Sequence, residues 1–397
     1  MESRNPRGYF LANMKRYGNL WRQVCCRENI ELAFAKAFKG KKKEGALLDV
    51  YEHQDEYIRK ALTLFADPMN LNQSVLRIKL VFKPKLRIIY AAPFWPDRVV
   101  HHAVMNVLEP IYESVFSDAS YSCRKGRGQH NASRLCMLYA KRYKYVWQFD
   151  CSQFYVNLDH DLMSDLYRWK VKDPQMLLWQ EKQVRTVATR QKNIEILKDL
   201  ITRRIAEDQA RVQLAKLERS SVIFDNAKAG VPIGNLCSQW DGNLYLTHFD
   251  NWVHQVLKAS AYIRFCDDGL IFADDKAFLH DCAEMAEDYL FRERRVLLSR
   301  STVYPTNNGI DFCGYRHFHN GKLLVRKGTA TNIKRRMRSL MAKVDNGLIT
   351  TEKARSVVGS DWGILRHAKT FNFRKSLSID SIRDELAWRI QQQHEEI

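Results

Sequence analysis

An α+β fold is predicted, and three features of the sequence predict it. Short β-prone runs such as YKYVWQFD (Tyr145 to Asp150 at its core) and YIRFCDDGLIF (Tyr262 to Phe272) are spread along the chain. Longer stretches with apolar residues at helical spacing separate them, so the class is mixed. Hydrophobic residues make up 45% and charged residues 27% of 397 residues, a balance that supports two or three domains with buried cores.

The elements follow in order. Residues 1 to about 75 read as helical, with Tyr51, Ile58, Leu62 and Phe65 on one stripe. The basic stretch KGKKKEG (Lys39 to Gly45) reads as a loop, either a solvated charge run or a phosphate contact. Two β-like runs, SVLRIKLVF and KLRIIYAAP, flank Lys83-Pro84. An amphipathic helix carries Val100, Val104, Val107, Leu108 and Ile111 on one face. Tyr145 to Asp150 alternates like a strand that ends in a carboxylate. From about Asp173 to Arg219 the chain is charged and helical, and Leu197, Ile201, Ile205, Leu214 and Leu217 predict a helical hairpin packed on the body. AGVPIGN (Ala229 to Asn235) interrupts it, and a helix from about Leu236 to Leu257 follows. Then come the Tyr262–Phe272 hairpin, a helix from Asp275 to Arg294, short strands including GIDFCGYRHF, and a basic helical region from about Thr329.

The net charge of +19 predicts a polyanionic partner, nucleic acid first, with a solubilising surface as the alternative. The nine cysteines form no CxxC pair, which argues against structural zinc and a disulfide framework and for a reducing, cytoplasmic setting. MESRNPRGYF has no apolar signal core, and no stretch approaches the roughly 18 apolar residues of a membrane span.

Two adjacent acids, Asp267 and Asp268, stand between apolar runs, and Asp150 ends another predicted strand. Carboxylates brought together repel unless a cation neutralises them. Mg²⁺ prefers such oxygens, and two ions can activate a 3′-hydroxyl and stabilise a departing pyrophosphate. Asp-Asp-Gly is also good turn chemistry, so a polar turn is the competing reading of this stretch alone.

The order of the segments decides between them. KPKLRIIYAAP with DRVVHHAV, FSDASYSCRKGRG, FDCSQFYVNLDHDLM, GVPIGNLCSQ, FCDD and GIDFCGY, in that order, resemble the blocks of reverse transcriptases, particularly the bacterial, group II intron-like branch. The resemblance runs from about Lys83 to Tyr315. It implies a right-hand polymerase fold with fingers, palm and helical thumb. The implied divisions are an N-terminal helical extension (1–75), fingers (76–145), palm (146–318, with a helical segment at about 170–228) and thumb (319–397). It implies that Asp150, Asp267 and Asp268 hold two Mg²⁺ ions, with Mn²⁺ as a substitute. It implies a dNTP pocket built from Lys85, Arg87, Tyr155, Ile233, Gly234 and Gln239, in which Tyr155 excludes a ribose 2′-hydroxyl. The resemblance further assigns Phe312, Cys313, Gly314 and Tyr315 to a primer grip. Lys334, Arg335, Arg336 and Arg338, extended by Arg366, His367 and Lys369, are assigned to a nucleic-acid-binding thumb surface.

Three departures carry information. Phe265 stands where relatives have tyrosine. Ser301 in LSRST stands where relatives often carry a lysine that protonates the leaving group, and the adjacent Arg300 is a poor proton donor. Pro232-Ile233-Gly234-Asn235-Leu236-Cys237-Ser238-Gln239 replaces the common Pro-Gln-Gly-x-x-x-Ser-Pro. Ile for Gln together with Gln for Pro resembles the reverse transcriptases of diversity-generating retroelements. That likeness implies error-prone, adenine-biased copying of a template-repeat RNA into cDNA. It also implies an accessory variability protein, a basic pentameric helical barrel, as partner, and a bacterial or phage source. Ile233 supplies dispersion but no hydrogen bond, and losing discrimination worth roughly 1–3 kcal/mol changes selectivity roughly 10–200-fold. The alternatives are a retron, group II intron-derived or defence-associated reverse transcriptase, or a catalytically inert RNA-binding scaffold.

Overall fold

The computed structural model describes residues 15–41, 44–71, 74, 76–83, 85–185, 189–224 and 228–395. The sequence reading of MESRNPRGYF, and of Lys42 and Lys43 in the basic stretch, lies outside the described residues.

At the centre is an antiparallel sheet in the order β4-β5-β3-β6. It is formed by β3 (Tyr145–Cys151), β4 (Tyr262–Phe265), β5 (Asp268–Ala273) and β6 (Leu298–Pro305). Alternation along β3 divides the core in two. Trp147 and Phe149 enter a large cluster with Leu244 and Phe249 of the helix Leu236–Gln255 and Leu279 of the helix Lys276–Arg294. Val146 points the other way, to a smaller cluster with Leu270, Ala132 and Cys136 of the helix Gly128–Arg142, and Ile310 and Phe312. The sheet is therefore covered on both faces, and only its β3–β5 end carries acids.

Two further sheets flank it. β1 (Arg77–Val81) and β2 (Arg87–Ala91) pair antiparallel, and Lys85 lies in the connection between them. β7 (Ile310–Phe312), β8 (Tyr315–His317) and β9 (Leu323–Val325) form a three-stranded antiparallel sheet. The charged segment folds as three helices, Pro174–Arg185, Thr189–Thr202 and Glu207–Phe224. The latter two pack on the β1–β2 hairpin, burying Leu197, Leu200 and Leu217 against Leu86, Ile88 and Tyr90. Tyr90 Oη donates to Asn193 Oδ1 at 2.6 Å, and Gln209 Oε1 accepts from the Leu86 amide at 2.6 Å. Ile205, expected in the hairpin core, instead lies in the connection and is 41% exposed. The stripe of Tyr51, Ile58, Leu62 and Phe65 is carried by two helices, Ala46–Glu52 and Gln54–Leu64, with the break at His53.

The C-terminal helices Lys327–Asp345, Thr351–Leu365, Phe371–Ser376 and Ile379–Glu395 have a core of their own, built on Ile333, Met337, Val358, Leu365 and Leu386. Among the described residues no helix is long and apolar enough to cross a membrane.

Candidate active site

Strand register brings the acids together. Asp150 stands opposite Asp268 across the β3–β5 ladder, and Asp267 lies in the turn between β4 and β5. The Asp267 carbonyl accepts from the Cys151 amide at 3.0 Å, which fastens the turn to β3. The left-handed residue of that turn is Cys266, with φ 61°, not the glycine. Gly269 belongs to strand β5, and a Cβ there would lie 2.1 Å from Phe149 Cζ. The glycine after the two acids is thus a packing requirement, a correction to reading Asp-Asp-Gly as turn chemistry.

The surroundings of the pair are costly for charge. Burial, then the Asp150 charge, pushes Asp267 up to about 6, while Lys85 from the β1–β2 turn works the other way. Asp268 is pushed up to about 7, chiefly by burial and further by Asp150 and Asp267; a hydrogen bond from Gln148 Nε2 (3.3 Å) and the Arg300 charge oppose the rise. Among the described residues no group of three or more His, Cys, Asp or Glu side chains closes into a metal-holding cage. The donor set still fits Mg²⁺, which typically takes one or two carboxylates and completes its shell with water and substrate phosphates. Buried, mutually repelling acids with raised pKa values are groups that a divalent cation relieves.

Two devices aim the acids. Register shifts between Asp150 and Cys151 opposite β6, so Ser299 occupies a bulge. Its hydroxyl donates to Asp150 Oδ2 at 2.5 Å, as bulges beside sites often re-aim a side chain. Behind the hairpin, Arg264 and Asp250 form a fully buried, two-pronged ion pair, Nε to Oδ1 at 2.7 Å and Nη2 to Oδ2 at 2.6 Å. Tyr262 Oη also donates to Asp250 (2.8 Å), and Arg264 Nη1 donates to the Cys266 carbonyl (2.7 Å), so this network grips the turn that carries Asp267.

The register also separates Arg300 from Ser301. Arg300 stands opposite Asp150, on the acid-bearing face. Ser301 stands opposite Phe149, and its hydroxyl accepts from Trp147 Nε1 at 2.9 Å on the other face. A proton donor at Ser301 would point away from the acids.

The remaining residues singled out in the sequence fall into three places. Tyr155 packs over Gly242, where a Cβ would come within 2.9 Å of its ring, and its hydroxyl lies 2.8 Å from Cys266 Sγ. Gly242 is a glycine inside a helix, a signal that sequence reading passed over. Ile233 is half-buried among the residues under β2, and its carbonyl accepts from the Tyr90 amide at 2.7 Å. Gly234 has φ 118°, and a Cβ there would meet Tyr90 O at 2.9 Å, so glycine is required. Arg87 and Gln239 are exposed. Cys313 and Gly314 form the β7–β8 turn at φ 49° and 83°, close enough that the Asp268 charge helps raise the Cys313 thiol pKa, after burial. Phe312 and Tyr315 are core residues. Lys334, Arg335 and Arg338 are exposed on the helix Lys327–Asp345, whereas Arg336 is tied to Asp361, an acid only 3% exposed. A cavity of about 600 Å³, lined by Ser152, Lys216, Arg219, Glu284, Asp288 and Ser299, opens beside the start of β6.

Residues 79–301, more than half of the chain, match the reverse transcriptase (RNA-dependent DNA polymerase) family. The chain belongs to that family, and its fold is the right-hand polymerase fold. It is similar to protein YkfC of Escherichia coli (strain K12), 23% identical over 56% of this chain and 61% of that protein. It is also similar to the group II intron-encoded protein LtrA of Lactococcus lactis subsp. cremoris, 29% identical over 35% of this chain and 23% of LtrA. The match thus spans less than two thirds of either relative. Among solved structures, telomerase from Candida albicans in complex with a TWJ fragment of telomeric RNA aligns at TM-score 0.38 and 14% identity, over 81% of this chain and 60% of that one.

Proposed function

We propose that the protein is an RNA-directed DNA polymerase of the diversity-generating type, copying a template-repeat RNA into cDNA with adenine-biased errors. The observation that carries the polymerase reading is the register of Asp150 opposite Asp268 with Asp267 at the adjoining turn. Asp150, Asp267 and Asp268 would hold Mg²⁺, which when bound neutralises the dNTP triphosphate and acidifies the primer 3′-hydroxyl. Ser299 and the Arg264–Asp250 network hold the acids in place beforehand. Lys85 and Arg87 contact the triphosphate as point charge and fork. Tyr155, braced by Gly242, closes the space where a 2′-hydroxyl would sit. Cys313 and Gly314 meet the primer end, and Lys334, Arg335 and Arg338 meet the duplex backbone. Arg336 is left out of that surface because Asp361 already holds it.

The subclass rests on Ile233 and Gln239 together. With Ile233 against β2, the base is held by shape and dispersion alone, so a misplaced nucleotide is penalised less. The accessory variability protein, a basic helical barrel, completes this reading as partner. The likeness to LtrA supports a second reading, an intron-derived enzyme. Sequencing the products of primer extension on RNA separates them. The diversity-generating reading predicts errors concentrated at template adenines, falling in Ile233→Gln. Accurate copying by the wild type favours the intron-derived reading, and no dNTP incorporation on RNA overturns both.

A further inference from the structure

The C-terminal helical lobe meets the sheet body at a cluster of basic groups. His130, in the first turn of the helix Gly128–Arg142, stacks on His367 with ring centroids 3.9 Å apart. His367 follows the lobe helix Thr351–Leu365, so the stack joins the two parts of the chain. Tyr315 Oη, from β8, donates to the Ile364 carbonyl at 3.0 Å and lies 3.4 Å from His130 Nδ1. Arg366 Nε donates to His367 Nε2 at 3.2 Å, and Arg134 lies one turn along the helix from His130. The groups that face the two imidazoles are Arg134 from their own helix side, Arg366 from the lobe and the Tyr315 phenol from β8. The charges that act on them are all guanidiniums or each other, with no carboxylate among them.

That composition is unusual at a joint between lobes. Two cations and two rings that become cations are held together without an acid, and the first turn of a helix adds its partial positive charge. The bulk of the chain's ion pairs shows what is missing here: Arg326 has Asp311 and Arg336 has Asp361. Burial first lowers both histidine pKa values, helped at His130 by Arg366 and Arg134 and at His367 by His130 and then the same guanidiniums, a balance that favours neutral, stacked rings in the free protein. An anion between them reverses this balance.

We propose that His130, Arg134, Arg366 and His367 form a phosphate site that takes one backbone phosphate of bound nucleic acid and locks the C-terminal lobe onto the sheet. This rests on the nucleic-acid-binding reading above and adds a location and a proton to it. Arg366 and Arg134 supply forked donors, and His130 Nε2, which makes no hydrogen bond among the described residues, becomes a donor when its ring takes up a proton. The same chemistry would accept free phosphate.

The test is proton-linked binding. Affinity for a short RNA–DNA hybrid is measured from pH 6 to pH 8, and proton uptake is obtained by titration calorimetry in two buffers of different ionisation heat. Wild type is expected to take up protons on binding and to bind about tenfold tighter at pH 6, the scale of one charge-assisted hydrogen bond. The double variant His130→Gln, His367→Gln is expected to lose the proton uptake while Arg292→Ala, exposed on the helix Lys276–Arg294, keeps it. Inorganic phosphate alone is titrated in parallel: uptake with phosphate that the same double variant abolishes supports a free-phosphate site, and uptake with the hybrid alone supports a strand-backbone site. Equal uptake in wild type and double variant, or none in either, overturns the site. Should the double variant melt early, Arg134→Gln decides: it lies exposed on its helix, and an unchanged affinity and salt slope overturns the proposal. Primer extension by wild type and Asp267→Ala is scored separately, so a failed polymerase leaves the binding result standing.

Discussion

Replacing Asp250 by Ala strips the acceptor from Arg264, a guanidinium with no solvent exposure. Two charge-assisted hydrogen bonds disappear, each worth roughly 1.5–3 kcal/mol, and the Tyr262 hydroxyl loses its partner as well. Loss of one member of a buried pair costs about 3–5 kcal/mol, because the stranded charge cannot reach water. That is a large part of the roughly 5–15 kcal/mol that holds a typical domain together. Urea unfolding followed by tryptophan fluorescence reads the loss as a lower midpoint at unchanged slope. The double variant Asp250→Leu, Arg264→Met, which leaves no stranded charge, is expected to recover most of the stability. It should not recover nucleotide incorporation, because the Cys266 carbonyl has lost the Arg264 donor that steadies the acid-bearing turn. A loss below about 1 kcal/mol in Asp250→Ala, the scale of a solvated surface pair, would refute the reasoning.

Three further outcomes follow from local geometry. Gly269→Ala places a Cβ 2.1 Å from Phe149 Cζ, so stability should fall by about 1–3 kcal/mol, and Phe149→Leu in the same chain should return part of it; a neutral Gly269→Ala in a melting assay contradicts the packing described. Burial pushes Asp241 up to about 7 although Tyr167 Oη donates to it. The native state therefore holds a proton that the unfolded chain releases near pH 4, and stability should fall as pH rises from about 4 to 7, by up to roughly 4 kcal/mol, and then level off. Asp241→Asn should remove that share of the slope, leaving the part that Asp267 and Asp268 contribute in the same direction, and be the more stable form at pH 8; an identical pH profile rules this out. Arg336→Ala should destabilise the C-terminal lobe by stranding Asp361, and should leave the salt dependence of duplex binding unchanged, whereas Arg338→Ala should lower it by about one phosphate contact.

Much of the site could be read from the chain because its elements are local. Tyr145–Asp150 alternates, so its last residue had to emerge at a strand end, and the apolar runs around Asp267 and Asp268 could only pair as a hairpin. What escaped reading depends on partners far along the chain. The face on which Arg300 stands is set by a bulge at Ser299, and neither residue signals a bulge by itself. Arg336 reads as one more cation beside Lys334, Arg335 and Arg338, and only the fold sets Asp361, 25 positions later, against it. Gly269 reads as a turn residue and Gly242 carries no reading in the sequence, because the rings of Phe149 and Tyr155 that require them arrive from other elements. Ile205 had helical spacing, yet the chain reverses there, and a reversal exposes whatever residue it carries.

Single-nucleotide incorporation on a primed RNA template, with Mg²⁺ varied, tests most directly whether the three acids act as one metal-holding unit. Wild type should incorporate dNTP only with Mg²⁺ or Mn²⁺ present. Asp150→Ala and Asp267→Ala should each lose about a thousandfold in rate, equivalent to about 4 kcal/mol of transition-state stabilisation, while still binding the hybrid. Incorporation by either variant at the wild-type rate would contradict the role given to the β3–β5 acids.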